Sequence, residues 1–264
     1  MTSPRSTSRQ HTTRSPCTIP RNLFFLGASV ALSLTACGPS DVEPGADATE
    51  SQLLDWSARR LAGSEFDKAI IGYRRALQRD SLSVTALLGL ADVYRLQERT
   101  GPADRYRRRA FHVRYSRGLD WLAAGASDSA RDNLEAAVRI MPRHPLAHLR
   151  LGELKRAAGQ TDSAIVHFER AVEANPRFSE SLIILGRAYV AVDRPDDAEQ
   201  AFARAIDVNI NALDAYLELG RIKSDQGEWA IALSQYEKAL LIDPRSAPAL
   251  QGLDQARSHL WRRR

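Results

Sequence analysis

The chain has 264 residues, 44% of them hydrophobic, enough apolar surface for a sizeable core, which excludes a wholly disordered protein. Aromatics make up 7%, and 15 Gly and 12 Pro punctuate a sequence rich in Ala and Arg, a balance that favours helices over a β-sandwich. The net charge of +5 argues weakly for nucleic acid, because Arg5, Arg9, Arg14 and Arg21 all precede residue 37 with no acid among them, and setting them aside leaves 33 bases against 32 acids.

Residues 1–22 are rich in Ser, Thr and Arg, and residues 23–36 (LFFLGASVALSLTA) form an uncharged apolar run that ends at Cys37. This is the layout of a secretory signal. Fourteen residues fall short of the roughly 20 needed to span a bilayer, so the run reads as a cleaved segment. Leu34-Thr35-Ala36-Cys37 resembles the lipobox of bacterial lipoproteins. That resemblance implies a signal peptide over 1–36 and lipidation of Cys37. With Gly38 rather than Asp next, it also implies an outer-membrane, periplasm-facing location in a diderm organism. An ordinary signal peptide and an uncleaved anchor are the competing readings. Residues 38–49, rich in Gly, Pro and acids, read as a flexible tether. Cys17 and Cys37 are the only cysteines, so the body of the chain can hold no disulfide framework.

A 34-residue period fills the remainder. Gly118, Gly152, Gly186 and Gly220 are spaced by it. Twelve residues after each lies an alanine (Ala130, Ala164, Ala198, Ala232), and seven further on another (Ala137, Ala171, Ala205, Ala239). Upstream, Ser57, Ala69 and Ala76, then Ala91, Ala103 and Ala110, repeat the spacing. Small residues at such intervals let two antiparallel helices approach, the small residue of the first facing the alanine of the second. Bulky residues such as Tyr94, Trp121 and Tyr189 fill the gaps around them. Gly125, Gly159 and Gly227 fall between the helices, and Pro142, Pro176 and Pro244 stop the second one; Ser81 and Ile210 replace that Pro in two units, predicting weaker turns there.

This pattern resembles the tetratricopeptide repeat, with units at 50–83, 84–110, 111–144, 145–178, 179–212 and 213–246 and a capping helix with a basic tail over 247–264. The resemblance implies an all-α, right-handed superhelical solenoid that binds other proteins. The second unit stops at its second alanine, seven residues short of the period, with no Pro or Gly before the next. A continuous helix over about 102–124 is therefore expected, with the first two units forming a separate lobe.

The repeats leave no room for a catalytic domain, so no enzyme, cofactor or metal is expected; a weak hydrolase on the solenoid surface is the remaining enzymatic reading. His144 and His148 lie four apart, but Pro145 separates them and no HExxH pattern completes a zinc site, so they read as cap or exposed residues. The run 105–117 (RYRRRAFHVRYSR) interleaves aromatics with six arginines. It reads as a solvated helix face, with anionic lipid headgroups or an acidic partner as the alternatives and nucleic acid disfavoured by export.

In this family the first helix of each pair lines the concave surface, its second, fifth, sixth, ninth, twelfth and thirteenth residues looking inward. Applied here, the rule points to Tyr115, Leu149, Arg150, Glu153, Arg156, Ile183, Ile184, Arg187, Leu217, Glu218 and Arg221. Arg187 and Arg221 share a repeat position and should offer two adjacent guanidinium forks to a partly acidic, amphipathic peptide; the competing reading pairs them with Glu153 and Glu218 inside the groove. The ninth position holds no asparagine, so the carboxylate clamp of chaperone-binding relatives is absent. Two functions fit: a membrane-tethered scaffold for an envelope assembly such as outer-membrane or pilus-secretin biogenesis, or an adaptor that recruits or regulates a peptidoglycan-metabolising enzyme.

Overall fold

A pair of alanines seven residues apart, recurring with the repeat, specifies close helix contacts, and the computed structural model, which describes residues 42–262, shows them made. Among the described residues the chain forms twelve α-helices and no strand: α1 Glu50–Ala62, α2 Phe66–Arg79, α3 Val84–Leu96, α4 Thr100–Ala123, α5 Ser127–Ile140, α6 Pro145–Ala157, α7 Thr161–Ala174, α8 Ser179–Ala191, α9 Pro195–Val208, α10 Leu213–Asp225, α11 Trp229–Ile242 and α12 Ala247–Arg262. Each helix packs antiparallel to the next, and all the paired alanines of the period are buried. The signal peptide and Cys37 lie outside the described residues.

The glycines of the period meet something other than what the spacing suggests. A Cβ on Gly152 would lie 2.4 Å from the Phe168 ring, one on Gly186 2.7 Å from Phe202, one on Gly220 2.6 Å from Tyr236 and one on Gly118 2.8 Å from Leu134. The small residue of the first helix therefore seats the large residue between the two alanines of the second, and the alanines pack elsewhere in the seam. Trp121 also departs from expectation: its neighbours in the pattern, Tyr94 and Tyr189, are buried, while its indole is 44% exposed.

Two kinds of turn alternate. Within a pair, the residue seven after the small one takes a left-handed conformation, at Gly125, Gly159 and Gly227 but equally at Ser64, Glu98 and Asp193. Between pairs, Asp80, Asn175, Asn209 and Asp243 accept hydrogen bonds from the backbone N–H two residues on, at 2.9, 3.2, 3.1 and 3.0 Å. That side-chain bond forms the turn at 80–83 and at 209–212 without Pro, so Ser81 and Ile210 cost less order than their sequence suggests.

The second junction has no turn. α4 runs unbroken for 24 residues, serving as second helix of one pair and first helix of the next, about 36 Å at 1.5 Å per residue. Leu87, Ala110 and Val113 are buried together there, with Leu77 of α2 and Ile140 of α5 packed against them. This apolar continuity makes the described residues, 42–262, one compact unit, and the separate N-terminal lobe expected from the missing turn does not form.

At the start of the solenoid, Thr49 and Gln52 form a reciprocal capping box on α1. Just before it, the Arg75 guanidinium donates to the carbonyls of Pro44 (2.7 Å) and Gly45, and Arg79 donates to that of Ala46. Arg75 also pairs with Glu43 at 3.4 Å. The tether read over 38–49 is corrected here: from Glu43 onward the backbone is held against α2, because two arginines satisfy its carbonyls.

Candidate peptide-binding groove

The first helices of neighbouring pairs pack on one another, α1 with α3, α8 with α10 and α10 with α12, more closely than the second helices do. They therefore lie on the shorter, inner arc, and their outward-facing residues line the groove.

On α4, Tyr115 stacks on Phe111 at 5.5 Å, and both rings lie near His144, the residue before α6. Next along, Arg150 donates to Glu153 at 2.8 Å on the face of α6, and this bond, with a lesser one to Tyr115, raises the guanidinium's pKa above its ordinary value. Leu149 is corrected: it is 4% exposed and belongs to the core shared by α6 to α10, so it cannot touch a ligand. Ile183, Ile184 and Leu217 are half-buried, their inner atoms on that core or its continuation around α11. They form the apolar floor.

The charged ladder joins α8 to α10. Arg187 donates through Nε to Glu218 Oε1 at 2.8 Å and lies 3.1 Å from Asp214 through Nη2. Arg221 donates through Nε and Nη2 to the other oxygen of Glu218, both at 3.2 Å, and reaches Asp225 at 3.8 Å. Glu218 is thus gripped on both oxygens, and its side chain is 17% exposed where the arginines are about half exposed. Partial burial works against the charge of Arg187, but the bonds to Glu218 and Asp214 outweigh it and hold its pKa high. The two guanidiniums do neighbour each other, yet they are engaged with Glu218; Glu153 takes no part. Asp214 and Asp225 belong to the site and are absent from the sequence assignment, although they occupy the second and thirteenth positions that the same inward rule covers. Three carboxylates around two guanidiniums leave an acidic excess, so a partner's polar face should be mixed rather than acidic. A cavity of about 220 Å³ opens beside Arg221 and Asp225, closed on its other side by Val190 and Pro195.

Of the two histidines four apart, His144 is the N-cap residue of α6, in keeping with its reading as a cap, and His148 departs from that reading. His148 is 1% exposed, its Nδ1 lies 3.1 Å from Nδ1 of His167, and its Nε2 lies 2.9 Å from the Pro142 carbonyl. Burial lowers the pKa of His144, His148 and His167, the last to about 4, with the neighbouring His148, Arg170 and Lys155 adding to the effect. Among the described residues no group of three potential metal ligands occurs.

Three family models described as tetratricopeptide repeat match the sequence, over residues 115–177, 155–219 and 213–246. The chain carries tetratricopeptide repeats. Solved structures similar to it include a chain of the APC/C hetero-tetramer Cut9–Hcn1, at 17% identity and a TM-score of 0.49; 79% of this chain aligns with 42% of that one. MamA is similar at 21% identity and a TM-score of 0.46, covering 72% of this chain and 96% of its own. YrrB, described as a TPR protein with an unusual peptide-binding site, is similar at 22% identity and a TM-score of 0.45, covering 76% and 89%. The chain thus spans under half the length of the matched chain of the APC/C complex. No curated protein matches the sequence.

Proposed function

We propose that this tetratricopeptide array is a lipid-anchored scaffold of a bacterial envelope, tethered through Cys37 at the periplasmic face of the outer membrane, whose concave face holds an amphipathic segment of a partner protein. Tetratricopeptide repeats are in general binding scaffolds rather than enzymes, which supports the class of function. The observation that carries the site is the ladder Arg187–Glu218–Arg221 lying over the half-buried Ile183, Ile184 and Leu217. Apolar side chains of the partner would bury on that floor. Its charged residues would exchange with the exposed members of the ladder, Asp214 and Asp225 accepting from at least one Lys or Arg. The lipid anchor is supported by the apolar run 23–36 ending at Cys37. An adaptor for a peptidoglycan-metabolising enzyme would use the same groove and differ only in the partner found there.

The test is affinity for a partner recovered from detergent-solubilised envelope, compared with the double variant Arg187→Gln, Arg221→Gln. Loss of two half-exposed charge contacts should weaken binding by roughly tenfold or more. Binding equal to that of the parent, at low salt and near physiological salt, would move the interface away from this groove.

A further inference from the structure

The turns at the two edges of the solenoid differ in charge. The turns within pairs (63–65, 97–99, 124–126, 158–160, 192–194, 226–228) carry the acids Glu65, Glu98, Asp193 and Glu228 against Arg99 and Arg194. The turns between pairs carry Pro-Arg three times, at Arg143, Arg177 and Arg245, all exposed, while their two acids, Asp80 and Asp243, are occupied by backbone N–H groups.

α4 adds to that second edge. Because it runs straight past the place of the missing turn, its arginines reach both neighbouring turns: Arg109 donates to the Ser81 carbonyl at 3.4 Å and Arg107 to the Ile140 carbonyl, at the end of α5, at 2.9 Å. Arg105 and Arg108 beside them are exposed. Among the described residues, no carboxylate lies within ion-pairing distance of these four arginines or of Arg143. Arg107, Arg108 and Arg143 converge on a cavity of about 370 Å³ lined also by Met141 and Pro142, with Asp104 the one acid on its wall. Exposed Leu82 and Ile210 lie in turns of the same edge.

The described chain also begins there. Arg79, the last residue of α2, holds Ala46, next to the turn that Arg109 reaches. Four residues separate Val42 from Cys37, a covalent reach of at most about 18 Å at 3.3–3.6 Å per residue.

We propose that this edge, centred on the first half of α4 and the 141–143 turn, lies on an anionic phospholipid surface, the arginines meeting headgroup phosphates and Leu82 reaching the interface. The charge argument stands on the arginines alone; that a bilayer is within reach rests on the lipid-anchored reading above. A lipid surface is favoured over a partner protein because exposed cations recur along the whole edge, at Arg105, Arg108, Arg143, Arg177 and Arg245, and are not confined to the cavity beside Arg143.

The experiment uses the full chain carrying Cys37→Ser, so that no lipid can tether it, sedimented with phosphatidylcholine vesicles and with phosphatidylcholine–phosphatidylglycerol vesicles. The variant Arg105→Glu, Arg108→Glu, Arg143→Glu touches no internal bond, and circular dichroism checks its fold. Each basic residue at an anionic surface contributes a factor of about five, so the triple variant should lose about a hundredfold in affinity for the anionic vesicles, and salt should abolish the binding of the parent. A matched reversal at Arg59, Arg95 and Lys155, in the last turns of α1, α3 and α6 on the opposite edge, should leave it near the parent value. Equal binding to the two vesicles, or a triple variant that binds like the parent, overturns the proposal. Release by free glycerol phosphate overturns it in favour of a discrete phosphate pocket. Mass spectrometry at Cys37 separates the two readings: an unlipidated chain that still binds anionic vesicles through these arginines keeps the surface and loses the anchor. A lipidated chain indifferent to vesicle charge does the reverse.

Discussion

The junction inside α4 and the junction between α9 and α10 join successive helix pairs by opposite means. At 209–212 the chain reverses, Asn209 supplying its side-chain oxygen to the backbone of Asn211, and Ile210 projects into solvent at 68% exposure. At Ala110 the helix continues, the residue is fully buried, and arginines of α4 rather than turn residues satisfy carbonyls of the turns on either side. Stacking of repeats therefore does not require a turn. It requires that the small residues of the seam stay in register and that carbonyls at the helix ends find donors.

The same substitution should act with opposite sign at the two junctions. Ala110→Pro removes a backbone donor in mid-helix and drives a ring into the preceding turn, costing about 3 kcal/mol or more. Ile210→Pro falls where three other repeats already have Pro, Asn209 before it is extended at φ −138°, and the Ile210 N–H makes no backbone bond, so it should stabilise by about 0.5–1 kcal/mol. Urea denaturation of both variants would measure this, and Ala110→Pro tolerated like Ile210→Pro would mean that α4 is not held as one helix.

Next in size is a test of the seam. Gly152→Ala adds a better helix former worth about 1 kcal/mol, yet its Cβ would lie 2.4 Å from the Phe168 ring. Overpacking should dominate, with a net loss of about 1–2 kcal/mol. In a Phe168→Leu background the same change should become neutral or favourable. A penalty unchanged by the smaller partner would show that something other than the ring sets it.

A further effect, read through pH, concerns half-buried His167, which lies between the two junctions. An unfolded histidine binds its proton near pH 6.5 and folded His167 only near 4, so between those values the unfolded chain binds more protons. The stability this group contributes is complete above pH 6.5 and declines as the pH falls toward about 4. His167→Gln should flatten the dependence of the urea midpoint between about pH 7 and about pH 5. A slope equal to the parent's would assign the acid sensitivity to other groups.

Much of the fold was legible because its signal is periodic: six recurrences of small residue, alanine and alanine fix register, and their failure by seven residues between Ala110 and Gly118 foretold the long helix. The partners within the seam were not legible, because spacing along one helix does not say which residue of the next it meets; hence Gly152 faces Phe168 and not Ala164. In the groove, the inward-position rule placed Arg187, Glu218 and Arg221 on facing helices but could not choose rotamers. A guanidinium that reaches back three residues or across thirty-one is decided by geometry, and that choice turned two apparent free forks into a shared clamp on Glu218. Leu149 was misplaced because its repeat position is inward in pattern, while its side chain packs into the core shared by α6 to α10.

The central claim, that the concave face is where a partner is held, is tested most directly by photo-crosslinking in intact cells, with a photoreactive residue placed singly at Ile184 or Leu217 in the groove and at Val166 or Ile231 on the outer second helices. The groove positions should give the same crosslinked protein and the outer ones none. Crosslinks from Val166 and Ile231, with none from Ile184 or Leu217, would contradict the account.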